Sequence, residues 1–309
     1  MVKSFEFEED YASINGISQY FLHLPGAGES VVIMLHGGPG IPNSYAAHYH
    51  QPYLSFCNTI YYDQRGSGKT QLKNSCTPES LSLDTLLEDL KQTIQYVKNK
   101  YQTDKIFLAG HSWGTVLGTQ YILKHPHDVS GYIGYGQLVS TSVQDRIWYE
   151  HLKEKILKLG KKDDIKKLSA VACSFPNLTR DEFDKATAQL SELEAIYGYK
   201  ASDWVEIYQK SPLMTPRDWN VIEEDFSQKL AGDVFHDYDI SSIHDYQVPL
   251  YYILGRHDNW TSSVIAAEYF ETINAPKKGL YWIEHAGHML DTNNPTDFFN
   301  AIKEIIAQS

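Results

Sequence analysis

Residues 106–115 read Ile-Phe-Leu-Ala-Gly-His-Ser-Trp-Gly-Thr. A strand-like apolar run, 106–109, enters Gly110-His111-Ser112-Trp113-Gly114, a GxSxG pattern, and the residues from Thr115 onward read as helix. Strand, sharp turn and helix in that order is the setting a nucleophile elbow needs. The turn is so tight that its flanking positions take only the smallest side chains, and glycine stands at both 110 and 114. Ser112 is then expected to present its hydroxyl above the end of a strand, as a nucleophile.

Working outward from the elbow, continuous apolar runs recur at 31–35, 58–62, 129–133, 248–254 and 280–283. Runs without polar alternation suit strands buried on both faces. Helical periodicity lies between them, at 83–101, 115–124, 262–273 and 296–307, with Thr296 placed after Pro295 as a helix cap. At the N-terminal end, residues 5–14 and 17–24 flank Asn15-Gly16, the pair that supplies both positive φ angles of a tight hairpin turn. The fold class expected is α/β: a mostly parallel central sheet, helices on both faces and antiparallel N-terminal strands. The alternation breaks over 142–245, a charged, helical stretch carrying Trp148, Trp204 and Trp219. It reads as a helical cap inserted into a core made of 1–141 and 246–309.

Composition narrows the function classes. The 309-residue chain is 42% hydrophobic, enough for a packed core, and carries a formal net charge of -12, which disfavours nucleic acid and anionic membrane surfaces. Cys57, Cys76 and Cys173 are too scattered for a disulfide framework or a zinc knuckle. No apolar signal-like segment opens the chain, so a soluble, cytoplasmic protein is expected.

A serine hydroxyl needs a base, and on an elbow fold the order is serine, acid, histidine. His285-Ala286-Gly287-His288 follows the last apolar run. Both histidines are candidates; His288 is preferred, because the Ala-Gly pair before it lets the loop approach the elbow. The preceding strand runs into Gly255-Arg256-His257-Asp258, and Asp258 is the acid expected to orient the imidazole. His36-Gly37-Gly38-Pro39-Gly40 follows the strand at 31–35 and can turn a backbone N–H inward. Gly38 and Trp113, the residue after the nucleophile, are the expected oxyanion donors.

Together these pieces resemble the proline iminopeptidase (prolyl aminopeptidase)-like branch of the α/β-hydrolases. The resemblance rests on HGGPG at 36–40, DQRGSGKT at 63–70, GHSWGT at 110–115, GRHD at 255–258 and AGH at 286–288. It covers the core and not the inserted stretch. It implies release of an N-terminal residue from small peptides, an acyl intermediate on Ser112 and no cofactor. It also implies that acids in the cap hold the free amine of the substrate, with Glu206 beside Trp204 as the candidates. The same core serves carboxylester and small-amide hydrolases, and a noncatalytic ligand-binding homologue is a further alternative. The expected partner is a small molecule or short peptide, with no nucleic acid or membrane.

Other readings fail on single residues. A phosphate-binding loop ending at Gly68-Lys69-Thr70 needs glycine at 63, where Asp63 stands; Asp63 and Arg65 are expected to brace this loop instead. No HExxH or zinc spacing marks a metal site, and epoxide hydrolases resemble dehalogenases in carrying aspartate where this chain has Ser112.

Overall fold

The computed structural model describes residues 6–175, 177–223 and 228–309. Its eight strands are β1 (Glu8–Ile14), β2 (Ile17–Leu24), β3 (Val31–Leu35), β4 (Asn58–Tyr62), β5 (Ile106–His111), β6 (Gly131–Tyr135), β7 (Leu250–Gly255) and β8 (Lys278–Ile283). They form one sheet in the order β1-β2-β4-β3-β5-β6-β7-β8. β1, β2 and β4 pair antiparallel, and every pairing from β4–β3 to β7–β8 is parallel.

The hairpin register closes at Ile14↔Ile17 around Asn15 and Gly16, whose φ angles of 43° and 79° fit the expected turn. Of the residues 5–14 assigned to the first strand by sequence, Phe5 lies outside the described residues, and Glu6 and Phe7 precede the strand, which starts at Glu8. Strand β3 explains the continuous apolar runs. Val31, Ile33 and Leu35 face one core and Val32 and Met34 the other, so both faces are dry.

The helices before the midpoint are α1 (Ala47–His50), α2 (Gly68–Asn74), α3 (Leu83–Tyr101) and α4 (Trp113–Lys124). α3 buries Leu86, Leu90, Ile94 and Val97 along one stripe and starts at Ser82, whose side chain accepts from the Thr85 N–H. Between β6 and β7 the chain leaves the sheet and forms α5 (Thr141–Leu159), α6 (Lys162–Ser169), α7 (Arg180–Tyr197), α8 (Trp204–Gln209), α9 (Pro216–Glu223) and α10 (Gln228–Phe235). A Ser140↔Asp239 bridge draws the two ends of this excursion together. The excursion has an apolar cluster of its own, including Trp148, Leu152, Phe183 and Leu190.

The chain then completes the core with α11 (Ser263–Thr272), α12 (Leu290–Asn293) and α13 (Pro295–Gln308). α13 begins one residue earlier than the sequence suggests. Asn294, not Thr296, caps it, with its side chain accepting from the Asp297 N–H. The strand order reverses between β3 and β5, which lie side by side although β4 separates them in sequence. Loops leaving the carboxyl ends of two such strands diverge and open a crevice, the usual ligand site of open α/β sheets. Here those loops carry Gly37–Gly40 and Ser112.

Candidate active site

Ser112 has φ 51° and ψ −117°, a conformation rare outside glycine and held by what surrounds it. The Ser112 N–H donates to the Tyr135 carbonyl at 3.1 Å, and its own carbonyl accepts from the Thr115 N–H at 2.8 Å. The flanking glycines are required by contact. A Cβ on Gly110 would lie 2.5 Å from the Gly114 oxygen, and one on Gly114 would lie 2.2 Å from the Leu35 oxygen. α4 begins immediately after, so the Trp113 N–H is one of the first-turn donors that no helical carbonyl can satisfy.

The structure brings Asp258 and His288 together. His288 Nδ1 lies 3.1 Å from Asp258 Oδ2. Thr261 donates to both carboxylate oxygens, from its hydroxyl at 2.7 Å and its backbone N–H at 3.0 Å. Burial opposes the charge on Asp258, but the imidazole and the Thr261 bonds outweigh it and hold the carboxyl below its ordinary range. With Nδ1–H donated to this carboxylate, Nε2 is the ring nitrogen left to accept a proton. The loop of His288 is tied to the elbow: His111 Nε2 donates to the His288 carbonyl at 2.9 Å, and the two rings lie 4.8 Å apart. Burial pushes His111 down to about 4, so it stays neutral beside His288. His285 is exposed and makes the turn at φ 57°, so of the two candidate histidines it is His288 that is bonded to Asp258.

The glycine loop after β3 is fixed by the DQR segment. His36 Nδ1 donates to the Gly37 carbonyl at 2.9 Å, and His36 Nε2 accepts from the Gln64 N–H at 3.0 Å. Gln64 Nε2 donates to the His36 carbonyl at 3.2 Å and Gln64 Oε1 accepts from the Trp113 indole at 3.0 Å, so one side chain links the loop of Gly38 to the residue after Ser112. Burial pushes His36 down to about 4 and keeps it in this neutral tautomer. The bracing expected of Asp63 and Arg65 is present. Asp63 accepts from the Ser44 hydroxyl and the Lys69 N–H, both at 2.7 Å, and Arg65 forks onto Asp89 at 2.8 Å.

Ser112 opens into a cavity of about 620 Å³ between the sheet and the inserted helices. Gly38 and Thr261 line it from the core; Asp145, Trp148, Phe183 and Phe235 line it from the excursion and its flanks. Two of its acids differ. Asp184 is paired with Arg180 at 2.8 Å, whereas Asp145 is 8% exposed and has no hydrogen-bond or ion-pair partner among the described residues. Burial alone raises the Asp145 carboxyl to about 8. Among the described residues no group of three His, Cys, Asp or Glu side chains is placed to hold a metal.

Two sequence candidates do not reach this cavity. Glu206 is 59% exposed and pairs with Lys210 one turn along α8, an ordinary solvated helix pair. Trp204 packs edge-on against Tyr208, with ring centroids 5.1 Å apart, and lies half-buried against the apolar cluster that includes Tyr45 and Tyr208. Asp203 explains the local pattern, since its side chain caps α8 by accepting from the Val205 and Glu206 N–H groups. Asp145, Trp148, Trp260 and Thr261 are the site residues that sequence reading missed. Only Thr261 left a signal, an acceptor aspartate three positions ahead of it.

The α/β-hydrolase fold family model matches residues 30–291, which is most of the chain. The chain belongs to the α/β-hydrolase fold family. Among curated proteins it is 25% identical over 284 residues to "Probable aminopeptidase YbaC" of Bacillus subtilis (strain 168), covering 88% of this chain and 87% of that one. It is 24% identical over 280 residues to the proline iminopeptidase of Heyndrickxia coagulans, covering 90% and 91%. Among solved structures, a proline iminopeptidase-related protein from Thermus thermophilus superposes with a TM-score of 0.65 at 21% identity, over 98% of each chain. These likenesses agree with the branch suggested by the motifs and with a mostly parallel eight-stranded sheet. Among the described residues no helix is long and apolar enough to cross a membrane.

Proposed function

We propose that this chain is a cytoplasmic serine hydrolase that releases an N-terminal residue from small peptides, in the manner of a proline iminopeptidase. The observation that carries the aminopeptidase reading is Asp145. Burial keeps this carboxyl protonated at neutral pH, and a cation placed beside it would favour the charged form that burial opposes. A substrate with a free α-ammonium group does so, in the cavity that Ser112 faces. In this reading the inserted stretch, 142–245, is a cap that closes over the amino end of the substrate.

The proposed chemistry gives each of these groups a role. Ser112 Oγ attacks the scissile carbonyl while His288 Nε2 takes its proton. Asp258 fixes the tautomer and faces the imidazolium that forms. The N–H groups of Gly38 and Trp113 receive the oxyanion. His288 returns the proton to the leaving amine, and water then attacks the acyl-Ser112 ester with His288 again as base.

A second reading has its own support. Leu138, Phe183, Val221 and Phe235 give the cavity an apolar wall that suits the acyl chain of a carboxylester or small amide. The two readings, and a noncatalytic ligand-binding role, separate in one comparison: L-proline p-nitroanilide, its N-acetylated twin and p-nitrophenyl butyrate, each with Ser112→Ala as control. Cleavage of the free-amine substrate alone, lost in Ser112→Ala, is the expected result. Ester cleavage alone would keep the nucleophile and discard the peptidase. Turnover of none of the three, with no covalent labelling of Ser112, would leave the binding role.

A further inference from the structure

Three consecutive residues after Asp258 are gripped by one face of the inserted helix α5. Gln144 Nε2 donates to the Thr261 carbonyl at 2.6 Å. Trp148 stacks on Trp260, with ring centroids 5.4 Å apart and planes at 21°. Asn259 Nδ2 donates to His151 Nε2 at 3.1 Å. Positions 144, 148 and 151 are spaced four and three apart, so they share one helix face. Gln144 is itself anchored to the core, donating to the Gln137 carbonyl and accepting from the Val139 N–H.

The middle contact leads to the base. The Trp260 ring lies 4.9 Å from the His288 ring, with planes at 36°. That is within the range at which an indole face attracts a cation, and His288 becomes a cation each time Ser112 is deprotonated. Trp260 is 39% exposed and lacks the packing to hold this pose alone, whereas its neighbour Trp148 is 1% exposed. The Trp148 indole N–H donates to Glu194 Oε2 on α7 at 2.9 Å, which fixes that ring in turn. Among the described residues, the charged and titratable groups that act on the imidazole are Asp258, His111 on β5 and Glu194 on α7.

We infer that Trp260 is a positioning residue for His288, held against the imidazole by the Gln144–Trp148–His151 face of α5, so that the inserted helices help set the proton affinity of the catalytic base. This rests on the proposed Ser112–His288–Asp258 mechanism and not on the identity of the substrate.

The test is the pH dependence of Ser112 labelling by a fluorophosphonate, which reports the base without needing the natural substrate. In Trp260→Leu the imidazolium loses its aromatic face. The acid limb of the labelling rate is expected to move to lower pH by about half a unit or more, and the plateau to fall several-fold. Trp260→Phe restores most of both. Trp148→Phe keeps a ring but deletes the anchor to Glu194, and moves the limb the same way by less; it decides the matter if Trp260→Leu labels too slowly to follow. A role confined to packing would leave the limb where it is. An acid limb unmoved in Trp260→Leu, or unmoved in Trp148→Phe, overturns the inference. Absence of Ser112 labelling in the wild-type protein would instead strike at the nucleophile assignment itself.

Discussion

The sheet core and the inserted helices build the same cavity by different rules. In the core, chemistry follows from backbone constraint. Ser112 is held at positive φ by close contacts that only glycine at 110 and 114 permits, and the loops of Gly38 and Ser112 diverge where the strand order reverses. In the excursion, chemistry follows from which side chains of ordinary helices end up facing inward. Asp145 and Glu206 are both acids on helices between β6 and β7, yet one is buried with no partner among the described residues and the other is a solvated partner of Lys210. A motif specifies the first kind of site, whereas a packing arrangement specifies the second.

The largest effects are expected in the core. Ser112→Ala is expected to lower turnover by roughly 10⁶-fold, as loss of the nucleophile does in Ser-His-Asp enzymes. Activity near wild type would reject the elbow as the catalytic element. Asp258→Asn should cost about 10⁴-fold, because the amide holds the imidazole in the wrong tautomer. A loss that small changes in Thr261 reproduce in full would shift the orienting role to the threonine.

The excursion should respond more selectively. Replacing Asp145 by Asn removes one charge-assisted contact, worth about 1.5–3 kcal/mol, or roughly 10–150-fold in kcat/KM for free-amine substrates. Glu206→Gln should change kcat/KM less than about twofold, since exposed helix pairs contribute little. A large loss in Glu206→Gln would return the amine site to α8.

Asp145 also predicts a stability effect with a defined sign. Its carboxyl is raised to about 8 in the folded protein, so the folded state binds this proton more tightly than the unfolded chain does. Stability from this group is therefore full below the ordinary carboxylate range and is lost as pH rises through about 8. Asp145→Asn should raise the Tm at pH 9 by a few degrees and lose that advantage near pH 4. An equal shift at both pH values would contradict a buried, unpaired acid.

These contrasts explain what could be read before the structure. The hairpin turn at Asn15-Gly16, the dry strands such as β3 and the order Ser112, Asp258, His288 each leave a local pattern, because local backbone geometry demands it. The pairing of His288, rather than His285, with Asp258 is legible from the small residues before it. Asp145 leaves none. Its neighbours Gln144 and Trp148 look like any helical stretch, and their inward orientation depends on how α5 docks on residues 259–261. Trp204-Val205-Glu206 misleads because an aspartate cap and an exposed glutamate beside a tryptophan resemble a binding pair in sequence alone.

If Ser112 acts on a substrate whose free amine is received by Asp145, the ratio of kcat/KM for L-proline p-nitroanilide to that for its N-acetylated twin reports it, in wild type and in Asp145→Asn. The expected ratio is well above one and falls by at least about tenfold in Asp145→Asn, while p-nitrophenyl butyrate cleavage stays within about twofold. A ratio that Asp145→Asn leaves unchanged would contradict it.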